Sequence, residues 1–134
     1  MDKVKKIIDV VIPCYNVEKT IESCIKSLCN QSLSINKYNC YFINDHSSDD
    51  TGIILDKYKT KKNVTIIHHE KNLGLAATRN DGINVGKSKM VAFLDGDMVV
   101  NRDWLESFLK YFNDDVMAVM GDNIPPANIT LRPI

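Results

Sequence analysis

Short runs of apolar, often β-branched residues recur along this chain, and the segments between them carry apolar residues at helical spacing. The first run is Ile7 to Pro13 (IIDVVIP), closed by a proline. After it, Ile21, Cys24, Ile25 and Leu28 predict an amphipathic helix over about 17–30, with Asn16 as its cap. Cys40 to Ile43 is a second short strand, and Ser47 or Ser48 can cap a helix through Ile53, Ile54, Leu55 and Tyr58. Val64 to Ile67 is a third strand, Gly74 breaks the chain, and Ala76 to about Val85 is helical. Met90 to Leu94 is a fourth strand; Asp103 can cap a helix with Trp104, Leu105, Phe108 and Leu109; Val116 to Met120 is a fifth strand. The tail from Asn123 to Ile134 has three prolines and no clear period. Strand–helix alternation of this kind implies βαβ units with right-handed crossovers. The expected fold is α/β: a mostly parallel central sheet with helices on both faces, Rossmann-like, stopping after about five strands. Residues 1–134 are expected to form one domain, and that length is enough for a single core.

Seventeen basic and seventeen acidic residues cancel, so no basic field recommends nucleic acid as a partner. The cysteines, Cys14, Cys24, Cys29 and Cys40, form no C-x-x-C pair, and Cys14, Cys24 and Cys40 sit among apolar neighbours. They read as small buried hydrophobes in a reducing compartment rather than a zinc or redox motif. The charged start, Met1-Asp2-Lys3-Val4-Lys5-Lys6, has neither the apolar region nor the cleavage site of a signal peptide, and no run is long enough for a transmembrane segment. The expected location is cytoplasmic, with peripheral contact at the inner membrane face as an alternative. The lysines 57, 59, 61 and 62 read as a solvated helix end that could touch an anionic membrane weakly.

In parallel sheets ligands bind at the carboxyl ends of the strands. Here those ends deliver Pro13-Cys14-Tyr15, then Asn44-Asp45-His46, then Asp95-Gly96-Asp97, while the 72–80 segment sets Arg79 early on a helix. Two carboxylates in one turn can share a hard cation such as Mg²⁺ or Mn²⁺, which takes oxygen ligands and keeps substrate phosphates. Gly96 lets the backbone approach a ligand. Asp45 could accept from a base N–H, Tyr15 could pack on a base or sugar, and Arg79 could reach a phosphate. Asp-x-Asp occurs about once by chance in such a chain. Its position at a strand end, with a second acid ending another strand, favours a ligand site over a plain turn. His68-His69-Glu70 reads as a strand end before a loop rather than a metal site, since no third ligand has suitable spacing.

The blocks VIPCYNVEKTIESCIKSL, INDHSSDDT, NLGLAATRNDGI and VAFLDGDMVV resemble, in order and spacing over about residues 7–121, those of the family 2 glycosyltransferases, which have the GT-A fold. The resemblance implies a nucleotide-sugar donor, most often a UDP-sugar, a divalent metal, and a glycan or lipid-linked acceptor. It puts Pro13 and Tyr15 at the base pocket and Glu18 at a ribose or base contact. Asp45 would read the base and Arg79 would face the diphosphate. Asp95 would contact ribose and metal, and Asp97 the metal. The chain departs from the family pattern at Asn44, where an aspartate is usual, and at His46, where a glycine is usual. Family members usually continue past this point to an acceptor pocket and a general base; here Asp122 is a remote candidate base. The chain is therefore expected to be a fragment, a missing-half or split enzyme, or a homo-oligomer. A non-catalytic nucleotide-sugar-binding module is the alternative. A phospho-accepting signalling domain fits less well, since its first strand would end in acids. No G-x-G-x-x-G follows the first strand and no P-loop motif occurs.

Overall fold

The computed structural model describes residues 5–111. The fifth strand expected at 116–120, the tail and Asp122 lie outside the described residues. Within them the order is β1 (Ile8–Cys14), α1 (Ile21–Cys29), a 3₁₀ turn (Ile35–Lys37), β2 (Tyr38–Asn44), α2 (Thr51–Asp56), β3 (Val64–His68), α3 (Leu75–Val85), β4 (Met90–Phe93) and α4 (Trp104–Tyr111). The strands form one parallel sheet in the order β3-β2-β1-β4. Ile8 pairs with Tyr38 and with Met90, and Cys40 with Val64.

Pleating sorts the central strands onto two faces. Ile8, Val10, Ile12 and Cys14 of β1, with Tyr38, Cys40 and Phe42 of β2, join Ile21, Cys24, Ile25, Leu28 and Leu55 in one core cluster. Val11 and Ile43 point the other way, onto Gly82 of α3. Helices thus cover both faces, and β1 and β2 are buried on both sides, which is why they read as continuous apolar runs. Each fully buried Ile, Leu or Phe contributes about 1.5–3 kcal/mol of transfer free energy. The three cysteines expected inside are buried, and Cys29 is exposed. Leu105 is buried as expected, while Trp104 and Phe108 are half-buried, stacked edge to face at 5.0 Å.

Two expected caps are corrected. The α1 cap is Thr20, not Asn16, and the chain from Val17 to Thr20 is a turn in which Thr20 N–H donates to Val17 O. Asn16 adopts φ +51° and turns its side chain to the neighbouring loop instead. Asp50, not Ser47 or Ser48, precedes α2, and Ser47 accepts from the Asn16 N–H. In both cases the polar side chain is spent between loops rather than on the helix that follows it.

Candidate functional site

All four strands end on one rim, and β1 lies where the strand order reverses, with β2 on one side and β4 on the other. Cys14, at the end of β1, touches both acidic segments. Its carbonyl accepts from the Asp45 N–H at 2.9 Å, and its Sγ lies against Gly96.

The turn after β4 closes through Met98 N–H donating to Asp95 O at 3.0 Å. Thr20 Oγ1 donates to Gly96 O at 3.2 Å. A Cβ on Gly96 would stand 3.1 Å from Val17 Cγ2 and 3.3 Å from Ile21 Cδ1. The glycine is thus packed closely on the start of α1, where a side chain would require its neighbours to give by a few tenths of an ångström. The carboxylates stay outside: the Asp95 side chain is 61% exposed and Asp97 is exposed. Their charge reaches inward, since burial first, and then Asp97 and Asp95, push the Cys24 thiol up to about 12. Arg79, on the second turn of α3, holds a terminal nitrogen 3.7 Å from Asp95 Oδ1, with its guanidinium 5.7 Å above the Phe93 ring. Its Nε is buried with no protein acceptor. Two exposed carboxylates on one tight turn are the oxygen donor set a hard divalent cation takes, with phosphate oxygens and water completing it. Among the described residues no group of three or more His, Cys, Asp or Glu side chains forms a ready cation site, so the two carboxylates supply part of a donor set at most.

Asp45 is 4% exposed and its carboxylate is gripped. Oδ1 accepts from Leu73 N–H at 2.8 Å and lies 2.8 Å from His69 Nδ1; Oδ2 accepts from Gly74 N–H at 2.9 Å. Burial pushes this carboxyl up, but the His69 and backbone hydrogen bonds outweigh it and hold it below the usual aspartate value. His69 Nε2 in turn lies 2.8 Å from Asp81 Oδ2. The preceding residue, His68, points to the opposite face, 3.0 Å from Asn44 Nδ2 and 2.8 Å from Asp56 Oδ1. The two histidines at the end of β3 thus tie the end of β2 to α2 on one face and to α3 on the other.

The loops after β1 and β2 are laced together. Ser48 and Asp49 N–H groups donate to Asn16 Oδ1, Val17 N–H to Thr51 Oγ1, and Glu18 N–H to Asp49 Oδ2. The Glu18 carboxylate accepts from Asp50 N–H at 3.0 Å. Asp49 is held below the usual range: burial raises it, and the Thr51 hydroxyl and N–H with the Glu18 N–H lower it further. Pro13 is half-buried, and Tyr15 stands 54% exposed above the lacing. His46 adopts φ +58°. That backbone state explains why glycine is the usual residue there.

The rim therefore gathers Pro13, Tyr15, Glu18, Asp45, Arg79, Asp95, Gly96 and Asp97. Sequence reasoning missed the Asn16 lacing, His69 and Asp81. The signal for His69 was a pair of histidines straddling a strand end, where alternation must send one ring to each face.

The family model "Glycosyl transferase family 2" matches residues 9–132. The chain belongs to the family 2 glycosyltransferases. It is 36% identical over 108 residues to the poly(ribitol-phosphate) beta-glucosyltransferase of Bacillus spizizenii, covering 79% of this chain and 17% of that protein. Solved structures of S. aureus TarS 1–349 with UDP superpose with a TM-score of 0.72 at 28% identity, over 78% of this chain and 31% of that one. The Pyrobaculum calidifontis mannosyltransferase PcManGT, solved with GDP-Man and Mn²⁺, gives 0.74 at 21% identity, over 80% of this chain and 32% of that one, and shares the fold. The chain thus spans about a third or less of the length of these relatives. Among the described residues no helix is long and apolar enough to cross a membrane.

Proposed function

We propose that this chain is the donor-binding part of a glycosyltransferase that takes its sugar from a nucleoside diphosphate sugar, a UDP-sugar first, with Mg²⁺ or Mn²⁺, and serves a glycan or lipid-linked acceptor. The observation that carries the reading is Cys14. One residue at the end of the central strand touches both Asp45 and the Asp95–Asp97 turn, at the point where strand order reverses. TarS, solved with UDP and with UDP-GlcNAc, supports the choice of base.

In this reading Tyr15 packs on the base or sugar, with Pro13 and Glu18 beside it. Asp45 accepts a base N–H, which uracil and guanine offer and neutral cytosine does not. Asp95 and Asp97 hold the cation. Arg79, now spent on Asp95 at 3.7 Å, turns its donors to the diphosphate. The cation supplies charge neutralisation to the departing diphosphate.

A thermal-melt panel tests this. UDP with Mn²⁺ raises Tm, because a ligand that binds only the folded state at ~100 Kd adds about 2.7 kcal/mol. Asp97→Ala abolishes the Mn²⁺-dependent part of the rise and leaves the nucleotide-free Tm within about 3 °C, since Asp97 is exposed. If UDP, GDP and CDP all leave the melt unchanged with metal present, the reading fails.

A further inference from the structure

We propose that His69 is a positioning residue that fixes the Asp45 carboxylate for reading the base, and that it couples this acid to the helix carrying Arg79. The inference rests on the donor-site reading of Asp45 given above.

His69 is placed by backbone, not by chance of rotamer. Its N–H donates to Asn44 O at 2.9 Å, continuing the β2–β3 ladder one step past β3, so the ring leaves the sheet beside Asp45. The ring is 9% exposed and spans two carboxylates, Asp45 Oδ1 and Asp81 Oδ2, each at 2.8 Å. An ionised carboxylate only accepts, and it offers about four acceptor directions. Three of those on Asp45 are used: His69 and Leu73 N–H on Oδ1, Gly74 N–H on Oδ2. The direction left is on Oδ2, the oxygen that the ring does not hold. Of the three donors, the two amides belong to the loop that Asp45 itself organises, where Asn72 Nδ2 also donates to the Asp45 carbonyl at 3.1 Å. The ring alone is anchored elsewhere, in the sheet. It therefore sets which oxygen takes a second donor, Oδ1, and which, Oδ2, keeps an acceptor direction open. Asp81 stands two residues after Arg79 on α3. The same ring thus fixes the base-side acid and the helix that presents the diphosphate-side cation.

Two near-isosteric substitutions separate the two ring nitrogens. In His69→Asn the amide nitrogen falls about where Nδ1 sits and keeps a donor to Asp45. In His69→Gln it falls about where Nε2 sits and keeps a donor to Asp81 only. The readout is Kd by titration calorimetry for UDP, CDP and pyrophosphate, each with Mg²⁺. A hydrogen bond to a charged acceptor predicts a wild-type preference for UDP over CDP of roughly tenfold or more. His69→Asn keeps most of that ratio. His69→Gln collapses it to within about threefold, with pyrophosphate affinity within about threefold of wild type. A residue that only stabilised the fold would change all the affinities together. In the unmutated protein, the His69 Nδ1–H proton resonance shifts further on UDP·Mg²⁺ binding than on pyrophosphate·Mg²⁺ binding, which tests the proposal even where a variant does not fold. A UDP:CDP ratio that survives in His69→Gln, or an Nδ1–H signal that ignores UDP, overturns the inference alone. Wild-type protein that binds no nucleotide overturns the donor-site reading and the inference with it; wild-type protein that binds UDP and CDP equally overturns Asp45 as the base acceptor, and the inference with it, and leaves the donor site standing.

Discussion

His46 shows what a single backbone torsion costs and permits. An L-residue at φ +58° is strained by about 1–2 kcal/mol relative to its usual regions, and glycine is not. Glycine gives back roughly 0.5–1 kcal/mol through the freedom it adds to the unfolded chain. His46→Gly is therefore expected to stabilise the protein by about 0–1.5 kcal/mol, read as a rise in denaturant midpoint with an unchanged slope. A clear fall in midpoint would mean that the exposed ring makes a stabilising contact that outweighs its strain. From sequence, His46 stood out only as a departure from a pattern; the torsion gives the departure its physical content. Asn16, at φ +51°, carried a different expectation. An asparagine ahead of a helical period is normally read as a cap, and only the partner loop, whose Ser48 N–H donates to Asn16 Oδ1 from 32 residues away, reveals its real acceptor role.

At the scale of elements, α3 approaches the sheet through Gly82. A Cβ there would clash with Val11 Cγ1 and stand 3.1 Å from Ile43 Cδ1. Gly82→Ala should push α3 outward and destabilise the fold by about 1–3 kcal/mol, measured by chemical denaturation, although alanine is the better helix former. Because Arg79 and Asp81 ride on the same helix, the variant should also weaken nucleotide binding in the melt panel. The elements themselves were legible. β1, β2, β3 and β4 appear where apolar runs predicted them, and α1, α3 and α4 where helical spacing did. Their ends were not. β2 begins at Tyr38, two residues before the expected start, because Tyr38 is drawn in by burial and by a 2.7 Å hydrogen bond from its hydroxyl to Leu28 O. α2 ends at Asp56 rather than reaching Tyr58, whose hydroxyl donates to Glu22 of α1. Such boundaries are set by contacts distant in sequence, which local periodicity does not carry.

For the whole molecule, the sheet order brings acids that are 50 residues apart to either side of one strand end, and acid stability follows from how they are held. Asp45 and Asp49 both have folded pKa values below the usual aspartate value of about 3.9. Their contribution is fully present above that value and is lost as pH falls through their lower folded values. Tm should therefore hold above about pH 4 and drop below it, more shallowly in Asp45→Asn; a Tm in the native protein that is flat from pH 5 to 2 would contradict the hydrogen bonding around these carboxylates. The rim residues were legible as a set because parallel strands must end together. Their division of labour was not, because nothing in the letters HH says that one ring serves each side of a sheet. That division has a consequence for how such a chain can vary. Insert or delete one residue before His68, and each imidazole is handed to the wrong helix. Changes of chain length in this stretch therefore belong after the histidine pair.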